Sequence, residues 1–223
     1  MPSHRNLRAR GFTLIELLVA LSLMALMAVM SWRGIDGMSR TQTQTQQRSD
    51  AVLALQMGLA QWSADLDALE PAAGLPGLDW DGRVLRLTRR GATDSDAALR
   101  VVAWTRRTVD GNSLWLRWQS APLRRRDELQ VAWQQAALWA QNPDDALRRQ
   151  EVTIVPLADW QLFYFRQDAW TNPLSSAGSN ATQGIVTGTP DGVRLVLNLP
   201  PGSALAGLIT RDWVRPSLGG NKS

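Results

Sequence analysis

The sequence predicts an α+β protein in which a long N-terminal helix packs on a mostly antiparallel β domain. The first half of that helix is expected to span a membrane and the second half to be amphipathic. Three observations support this fold class: an unbroken apolar run near the N-terminus, an apolar stripe at helical spacing that stops before Pro71, and short alternating runs separated by turn residues after it.

The apolar run covers residues 12–32, which are 21 residues with one ionisable side chain, Glu16. At about 1.5 Å per residue such a helix crosses roughly 30 Å, the thickness of a bilayer core. Arg5, Arg8 and Arg10 precede the run and favour a cytoplasmic N-terminus. The run is longer than the core of a secretory signal and lacks a small-residue cleavage site after it. A plain signal anchor fits the hydropathy equally well.

Glu16 separates these readings, because a carboxylate inside an apolar helix costs a few kcal/mol and is usually functional. The ten residues from Gly11 to Ala20, GFTLIELLVA, closely resemble the prepilin signal of type IV pilins and type II secretion pseudopilins. The resemblance implies that a prepilin peptidase cuts after Gly11 and methylates the new amine of Phe12. It also implies that Glu16 pairs with the Phe12 amine of a neighbouring subunit during assembly.

Residues 33–70 are expected to continue the helix outside the membrane, to about Leu69. Gly34 and Gly37 predict a weak or interrupted point, or a segment that melts during filament assembly. Farther on, apolar residues recur at three- and four-residue steps, and Asp65 and Asp67 are expected to lie on the solvent side. The predicted core stripe consists of Val52, Leu55, Leu59, Trp62, Leu66 and Leu69.

Residues 71–216 are expected to form a β-rich domain of seven or eight strands, mostly antiparallel because the connections are short. The sequence Asp110-Gly111-Asn112 predicts a hairpin turn, and 142–150 a short helix. Residues 171–190 read as a surface loop, and 217–223 as a disordered tail. The expected strands are 83–88, 99–107, 113–119, 128–134, 151–155, 160–166, 193–199 and 208–214. Five tryptophans are expected to pack from these strands: Trp104, Trp115, Trp118, Trp133 and Trp160.

Composition argues against several functions. Three of the 24 basic residues lie within the first eleven positions, so the rest of the chain carries 21 basic against 20 acidic residues and nucleic-acid binding is not expected. The chain has no cysteine and one histidine, His4, so neither a zinc site of the usual ligands nor a histidine-based catalytic set is expected, and no cofactor is predicted. The acidic pairs Asp79/Asp81 and Asp94/Asp96 read as turn chemistry instead of a calcium site.

The order of the later segments, and their pattern of apolar and polar residues, resemble those of pseudopilin J of the type II secretion system. The segments are residues 51–69, the run from Val155 to Phe165 followed by Trp170, the strand from Pro190 to Leu197, and the strand from Leu208 to Arg211. The chain is larger than a major pseudopilin, which fits this group. The absence of cysteine favours a pseudopilin over many type IV minor pilins, which often carry a C-terminal disulfide loop.

That resemblance implies a non-catalytic subunit of a filament tip complex that supports protein export across the outer membrane. The implied partners are the prepilin peptidase, minor pseudopilins I and K, the major pseudopilin and inner-membrane lipid. The implied location is the inner membrane, with one span and a periplasmic C-terminal domain. Two alternatives stay open: a minor pilin that primes a type IV pilus, and an anchored enzyme or binding module.

Overall fold

The computed structural model describes residues 12–72, 75–91, 98–174 and 188–216. The predicted leader 1–11, the pair Asp94/Asp96, most of the predicted 171–190 loop and the predicted tail 217–223 lie outside the described residues. The chain divides into two compact units, Met1–Gln47 and Arg48–Ser223. The elements are α1 (Leu14–Asp67), β1 (Leu78–Trp80), β2 (Val84–Arg90), β3 (Leu99–Val109), β4 (Asn112–Gln119), α2 (Arg126–Gln141), α3 (Asp145–Arg148), β5 (Glu151–Pro156), β6 (Asp159–Arg166), β7 (Ala169–Thr171), β8 (Gly192–Leu199) and β9 (Gly207–Val214).

The predicted α+β, pilin-like architecture is confirmed, because α1 is followed by two antiparallel sheets. The first sheet has the order β1-β2-β3-β4-β5 and the second has the order β7-β6-β8-β9. The described residues contain nine strands, more than predicted. The two strands that the sequence did not reveal, β1 and β7, are three residues long and too short to display an alternating pattern.

The predicted interruption of α1 at Gly34 and Gly37 is wrong, since both glycines lie within the helix. Neither has another atom within 4 Å of where a Cβ would stand, so no packing constraint acts on them. The polar stretch that follows remains helical although threonine is a poor helix former. The hydroxyls of three threonines donate to carbonyls one turn back: Thr41 to Gly37, Thr43 to Ser39 and Thr45 to Thr41.

The strand predicted over residues 128–134 is also wrong, because this segment belongs to α2. The alternation seen over seven residues is part of a longer helical period, which buries a residue every three or four positions. Glu128 accepts hydrogen bonds from the amides of Arg124 and Arg125, at 3.0 and 3.1 Å, and so caps the helix start. Trp133 is buried as predicted, but it packs from a helix and not from a strand. The buried residues of α2 are Leu129, Ala132, Trp133, Ala136, Trp139 and Ala140.

Strands β3 and β4 form the predicted hairpin. The two residues between them, Asp110 and Gly111, have φ values of +49° and +80°. Positive φ at both positions suits a two-residue turn whose twist matches that of the paired strands. The short helix expected within 142–150 is present as α3, which Asp144 caps by accepting a hydrogen bond from the Leu147 amide at 2.8 Å.

Two apolar clusters hold the unit Arg48–Ser223 together. In one, α2 covers a face of the first sheet that presents Val101, Leu116 and Trp118. In the other, the C-terminal part of α1 packs with the opposite face of the first sheet and the inner face of the second. Trp62 of α1 lies at the centre of this second cluster, with its ring centroid 5.5 Å from that of Trp104. Such close tryptophan pairs add to the stabilisation from buried area alone.

Gly58 allows α1 to approach β5 closely. A Cβ on this residue would stand 2.3 Å from Cγ2 of Ile154 and 3.2 Å from the Trp115 ring. Glycine usually weakens a helix interior by about 1 kcal/mol relative to alanine. Its presence here is explained by the contact, because any side chain would push the helix away from the strand.

The only tyrosine of the chain, Tyr164 on β6, is buried against Val193 of β8. Its hydroxyl has no hydrogen-bond partner among the described residues. Burial, with the negative charge of Asp79 as a smaller cause, raises the pKa of Tyr164 above that of a free phenol.

We therefore expect stability to fall at alkaline pH through Tyr164. Above about pH 10 the unfolded chain releases the phenolic proton while the folded chain retains it, so unfolding is favoured as pH rises. Because Tyr164 is the only tyrosine, phenolate absorbance reports it directly, and the signal should appear together with loss of native tryptophan fluorescence. Tyr164→Phe should reduce the alkaline loss by up to about 1.4 kcal/mol per pH unit. Phenolate formation near pH 10 in protein with native fluorescence would contradict the assignment.

Candidate functional site

The N-terminus of α1 is closed by a reciprocal pair of side chains. The amide and the hydroxyl of Thr13 both donate to Oε2 of Glu16 at 3.1 Å, and the Glu16 amide lies 3.4 Å from the Thr13 hydroxyl. This is a capping box, in which the carboxylate satisfies an amide that the first turn leaves unpaired. The negative charge also lies at the positive end of the helix dipole. Glu16 is thus held at the helix start, where it remains exposed to an incoming cation.

Residues from Phe12 to Trp32 are exposed along the whole predicted membrane span. Within the described part of the chain, α1 is the one helix long and apolar enough to cross a bilayer. An apolar helical segment whose side chains are all exposed in its own chain needs lipid or another apolar surface around it. This helix therefore indicates a single-pass membrane anchor.

The predicted stripe on the second half of α1 divides into buried and partly buried positions. Leu55, Trp62 and Leu66 are buried in the cluster that α1 shares with both sheets, and Leu59 and Leu69 pack against it partly buried. Leu69 lies beyond the end of α1 and bridges to Arg89 of β2. Val52 is half-buried.

Asp65 is completely buried, so the expectation that it faces solvent is wrong. Its carboxylate receives a two-point contact from Arg117 of β4, with Nε and Nη2 each at 2.8 Å, and a contact at 2.6 Å from Nη1 of Arg89 on β2. The indole of Trp104 on β3 donates at 3.0 Å, and Gln61 donates from the same helix at 2.8 Å. One carboxylate thereby joins α1 to three neighbouring strands.

The position of Asp65 in the sequence indicated this network, although the spacing of the apolar residues alone did not. Asp65 lies between Trp62 and Leu66, close enough to the apolar face for its side chain to turn inward. An acidic residue on that face predicts a basic partner, and Arg89 and Arg117 lie in strands that also carry buried apolar residues. Asp67 does lie on the exposed side, and it accepts a hydrogen bond from the Trp213 indole at 2.8 Å.

The geometry at the start of α1 agrees with a comparison with known families. Residues 6–32 match the family model described as the prokaryotic N-terminal methylation motif. The chain carries a prepilin-type N-terminus. The match supports a type IV pilin-like protein with a structural role, processed by a prepilin peptidase and assembled with other pilin-like subunits. No curated protein matches the chain.

The family match includes all three predicted processing and assembly residues, Gly11, Phe12 and Glu16, whereas the structure describes only the last two. Gly11, after which the cut is expected, lies outside the described residues. Phe12 lies just before the capping residue Thr13, and Glu16 lies within the first turn of α1. Among the residues described, no three His, Asp or Glu side chains are grouped to hold a metal ion.

We expect Asp65→Asn to destabilise the domain by about 3–5 kcal/mol, because it leaves two buried arginines without their counter-charge. Thermal or urea unfolding of the full chain in detergent, followed by tryptophan fluorescence, measures the loss. Asp67→Asn is the matched control on the same helix: it keeps the acceptor for Trp213 and should change stability by no more than about 0.5 kcal/mol. Equal effects of the two substitutions would contradict the role given to Asp65.

Proposed function

We propose that this protein is a membrane-anchored structural subunit of a pilin-like filament, specifically a minor pseudopilin of the type II secretion system. In this proposal the leader ends at Gly11 and the span covers 12–32. Residues 33–70 form the periplasmic half of the helix, and 71–216 the periplasmic domain. The observation that carries the proposal is the methylation motif, because its one acidic residue lies in the first turn of an apolar helical segment, residues 14–32, that is exposed throughout.

The presence of Glu16 favours a role in filament assembly over a role as a membrane anchor alone. A carboxylate that entered the bilayer unpaired would cost a few kcal/mol, which an anchor has no reason to retain. Thr13 donates to one oxygen, Oε2, and within the described part of the chain the other oxygen is available to a partner. A cationic amine at the N-terminus of an adjacent subunit provides such a partner, and the pair offsets much of the cost of burying either charge.

The finer assignment to a pseudopilin J-like subunit rests on the later segments. Within residues 155–170, the part from Asp159 onward forms β6 and most of β7, and the final two strands, β8 and β9, complete the same sheet. The chain has no cysteine, whereas many minor pilins carry a C-terminal disulfide loop. These features favour a tip complex with pseudopilins I and K that supports export across the outer membrane. A minor pilin that primes pilus assembly is the alternative.

Gly11→Leu should leave the precursor uncut when the protein is expressed with a prepilin peptidase, because a side chain at this position blocks close approach of the backbone. Intact-mass measurement should show the full chain, while the wild type should begin at N-methylated Phe12. Gly34→Leu is the control, since no atom lies within 4 Å of its Cβ position, and this variant should be shortened normally. Shortening of Gly11→Leu at the same site would refute the proposed cut.

Glu16→Ala should be shortened normally but should lower export of secreted proteins by about tenfold or more, because losing one member of a buried pair costs several kcal/mol. Ser22→Ala is the control within the same apolar helix; it removes a hydroxyl that bonds only to the Leu18 carbonyl, at 2.8 Å, and should leave export unchanged. Secreted protein and surface pili are measured together in the native host. Loss of pili with intact export would favour the minor-pilin alternative, and no effect on either would remove the role of Glu16.

A further inference from the structure

Strand β9 ends the second sheet with a regular edge that has no strand beside it among the described residues. Four described strands lie at sheet edges: β1, β5, β7 and β9. β1 and β7 have three residues each, and β5 pairs irregularly with β4 and ends in Pro156. Short length, irregular pairing and proline all discourage a further strand. β9 has 8 residues, no proline and an uninterrupted register with β8, so it keeps an edge on which another strand can pair.

The open edge of β9 presents the backbone groups of every second residue. The Arg215 amide donates to the Asp191 carbonyl at 2.9 Å, which directs Arg215 toward β8. Because backbone groups alternate in direction along a strand, those of Trp213, Arg211 and Ile209 also point to β8. The amides and carbonyls that point to the open edge belong to four exposed residues: Leu208, Thr210, Asp212 and Val214. A row of donors and acceptors at this spacing is matched by an extended chain.

Arg211 adds a charge requirement to this edge. Its side chain is exposed, and it forms no hydrogen bond or ion pair with the described residues. Its neighbours on the same face of the sheet are apolar: Ile209 and Trp213 along β9, and Leu195 opposite it on β8. A strand that pairs with β9 therefore meets one unpaired positive charge between two apolar positions.

The charged residues around Arg211 already have partners of their own. Asp212 accepts two hydrogen bonds from the guanidinium of Arg194, each at 2.7 Å. Asp67 of α1 accepts a hydrogen bond from an indole of β9, and Arg215 donates to two backbone carbonyls. An acidic residue that satisfies Arg211 thus has to come from a strand placed beside β9, where opposite charges on facing residues attract.

We propose that β9 accepts an extended strand from another protein, which pairs antiparallel with residues 208–214 and places an acidic residue opposite Arg211. The apolar neighbours of Arg211 select apolar residues two positions to either side of that acid. Leu208 and Val214, which are 74% and 59% exposed on the other face of the sheet, extend the contact at both ends. The partner is thus a β-forming segment with an apolar–acidic–apolar pattern at every second position. This partner goes beyond the proposed subunit role, which depends on α1 and Glu16.

A second copy of β9 does not meet this charge requirement. Two β9 strands related by a two-fold axis pair antiparallel, and their open-edge residues, which are all even-numbered, must lie opposite each other. Arg211 then lies opposite an odd-numbered residue of the second copy, whereas the one acidic residue of β9, Asp212, is even-numbered. The chain segments before β8 and after β9 do not meet it either, because residues 175–187 and 217–223 contain no Asp or Glu. Charge therefore selects a different protein.

The probe for this pairing is the peptide TVTETVT, blocked at both ends, whose central Glu lies opposite Arg211 and whose Val residues lie opposite Ile209 and Trp213. Added at millimolar concentration to the full chain in lipid nanodiscs, it should slow amide hydrogen exchange of residues 207–215 by about tenfold, because the edge amides become hydrogen-bonded. The same peptide with Lys in place of Glu should need an about fivefold higher concentration. N-methylation of its third and fifth residues, whose amides face β9, should abolish the slowing. N-methylation of the second and sixth, whose amides face away, should not.

Two protein variants test the charge requirement. Arg211→Glu should reverse the preference, so that the Lys peptide acts at an about fivefold lower concentration than the Glu peptide. Arg83→Glu, at an exposed position just before β2, is the matched control and should leave the preference unchanged. Equal effects of the two N-methylated peptides, or an unchanged preference in Arg211→Glu, would overturn the proposal.

The same exchange measurement, made without peptide, detects the other possible occupants of the edge. Exchange of residues 207–215 that becomes slower as the protein concentration rises would assign the edge to a second copy. Exchange that is slow at every protein concentration and becomes fast when residues 217–223 are deleted would assign it to the chain's own C-terminal segment. Either result would overturn the proposal, and fast exchange in both cases supports an edge that is open to another protein.

Discussion

The buried carboxylate of Asp65 is the interaction on which the arrangement of the domain Arg48–Ser223 depends. It lies on α1, yet its five hydrogen bonds reach β2, β3 and β4 as well as its own helix. Burying a charged side chain away from water costs free energy unless its hydrogen-bonding positions are satisfied. Because the helix can satisfy this carboxylate in only one register against the sheet, the contact specifies position as well as stabilising it.

The packing around Asp65 is consistent with that constraint. Gly58 lies two turns earlier and permits the closest approach between α1 and β5, with Ile154 filling the space a side chain would occupy. Trp62 lies between the two positions and meets the ring of Trp104, the same residue that donates to Asp65. Movement of the helix along the sheet would disturb an apolar contact and an ionic one together, so the two contacts reinforce each other.

Patterns confined to one element were predictable from the sequence, whereas features shared between elements were not. The apolar helix and the seven longer strands follow from local periodicity, and the β3–β4 turn follows from Asp110 and Gly111. The segment 128–134 was misassigned because seven residues fit either period, and only the longer run to Ala140 distinguishes a helix. Asp65 was misplaced because its burial depends on Arg89 and Arg117, which are distant in sequence.

The difference between patterns within one element and features shared between elements also applies to function. A peptidase reads a short contiguous stretch, so the motif at residues 6–32 is visible in the linear sequence. Partner surfaces are built from whichever side chains the fold leaves exposed, and α2 shows this most clearly. Its sequence has enough buried positions to hold the sheet, and Val131 and Leu138 add apolar surface that the fold does not use. The first turn of α2 carries charge in Arg126, Asp127 and Glu128, and only the later turns, residues 129–141, are uncharged. Which apolar side chains of α2 stay exposed depends on the face that the first sheet covers, and the linear sequence does not give that face.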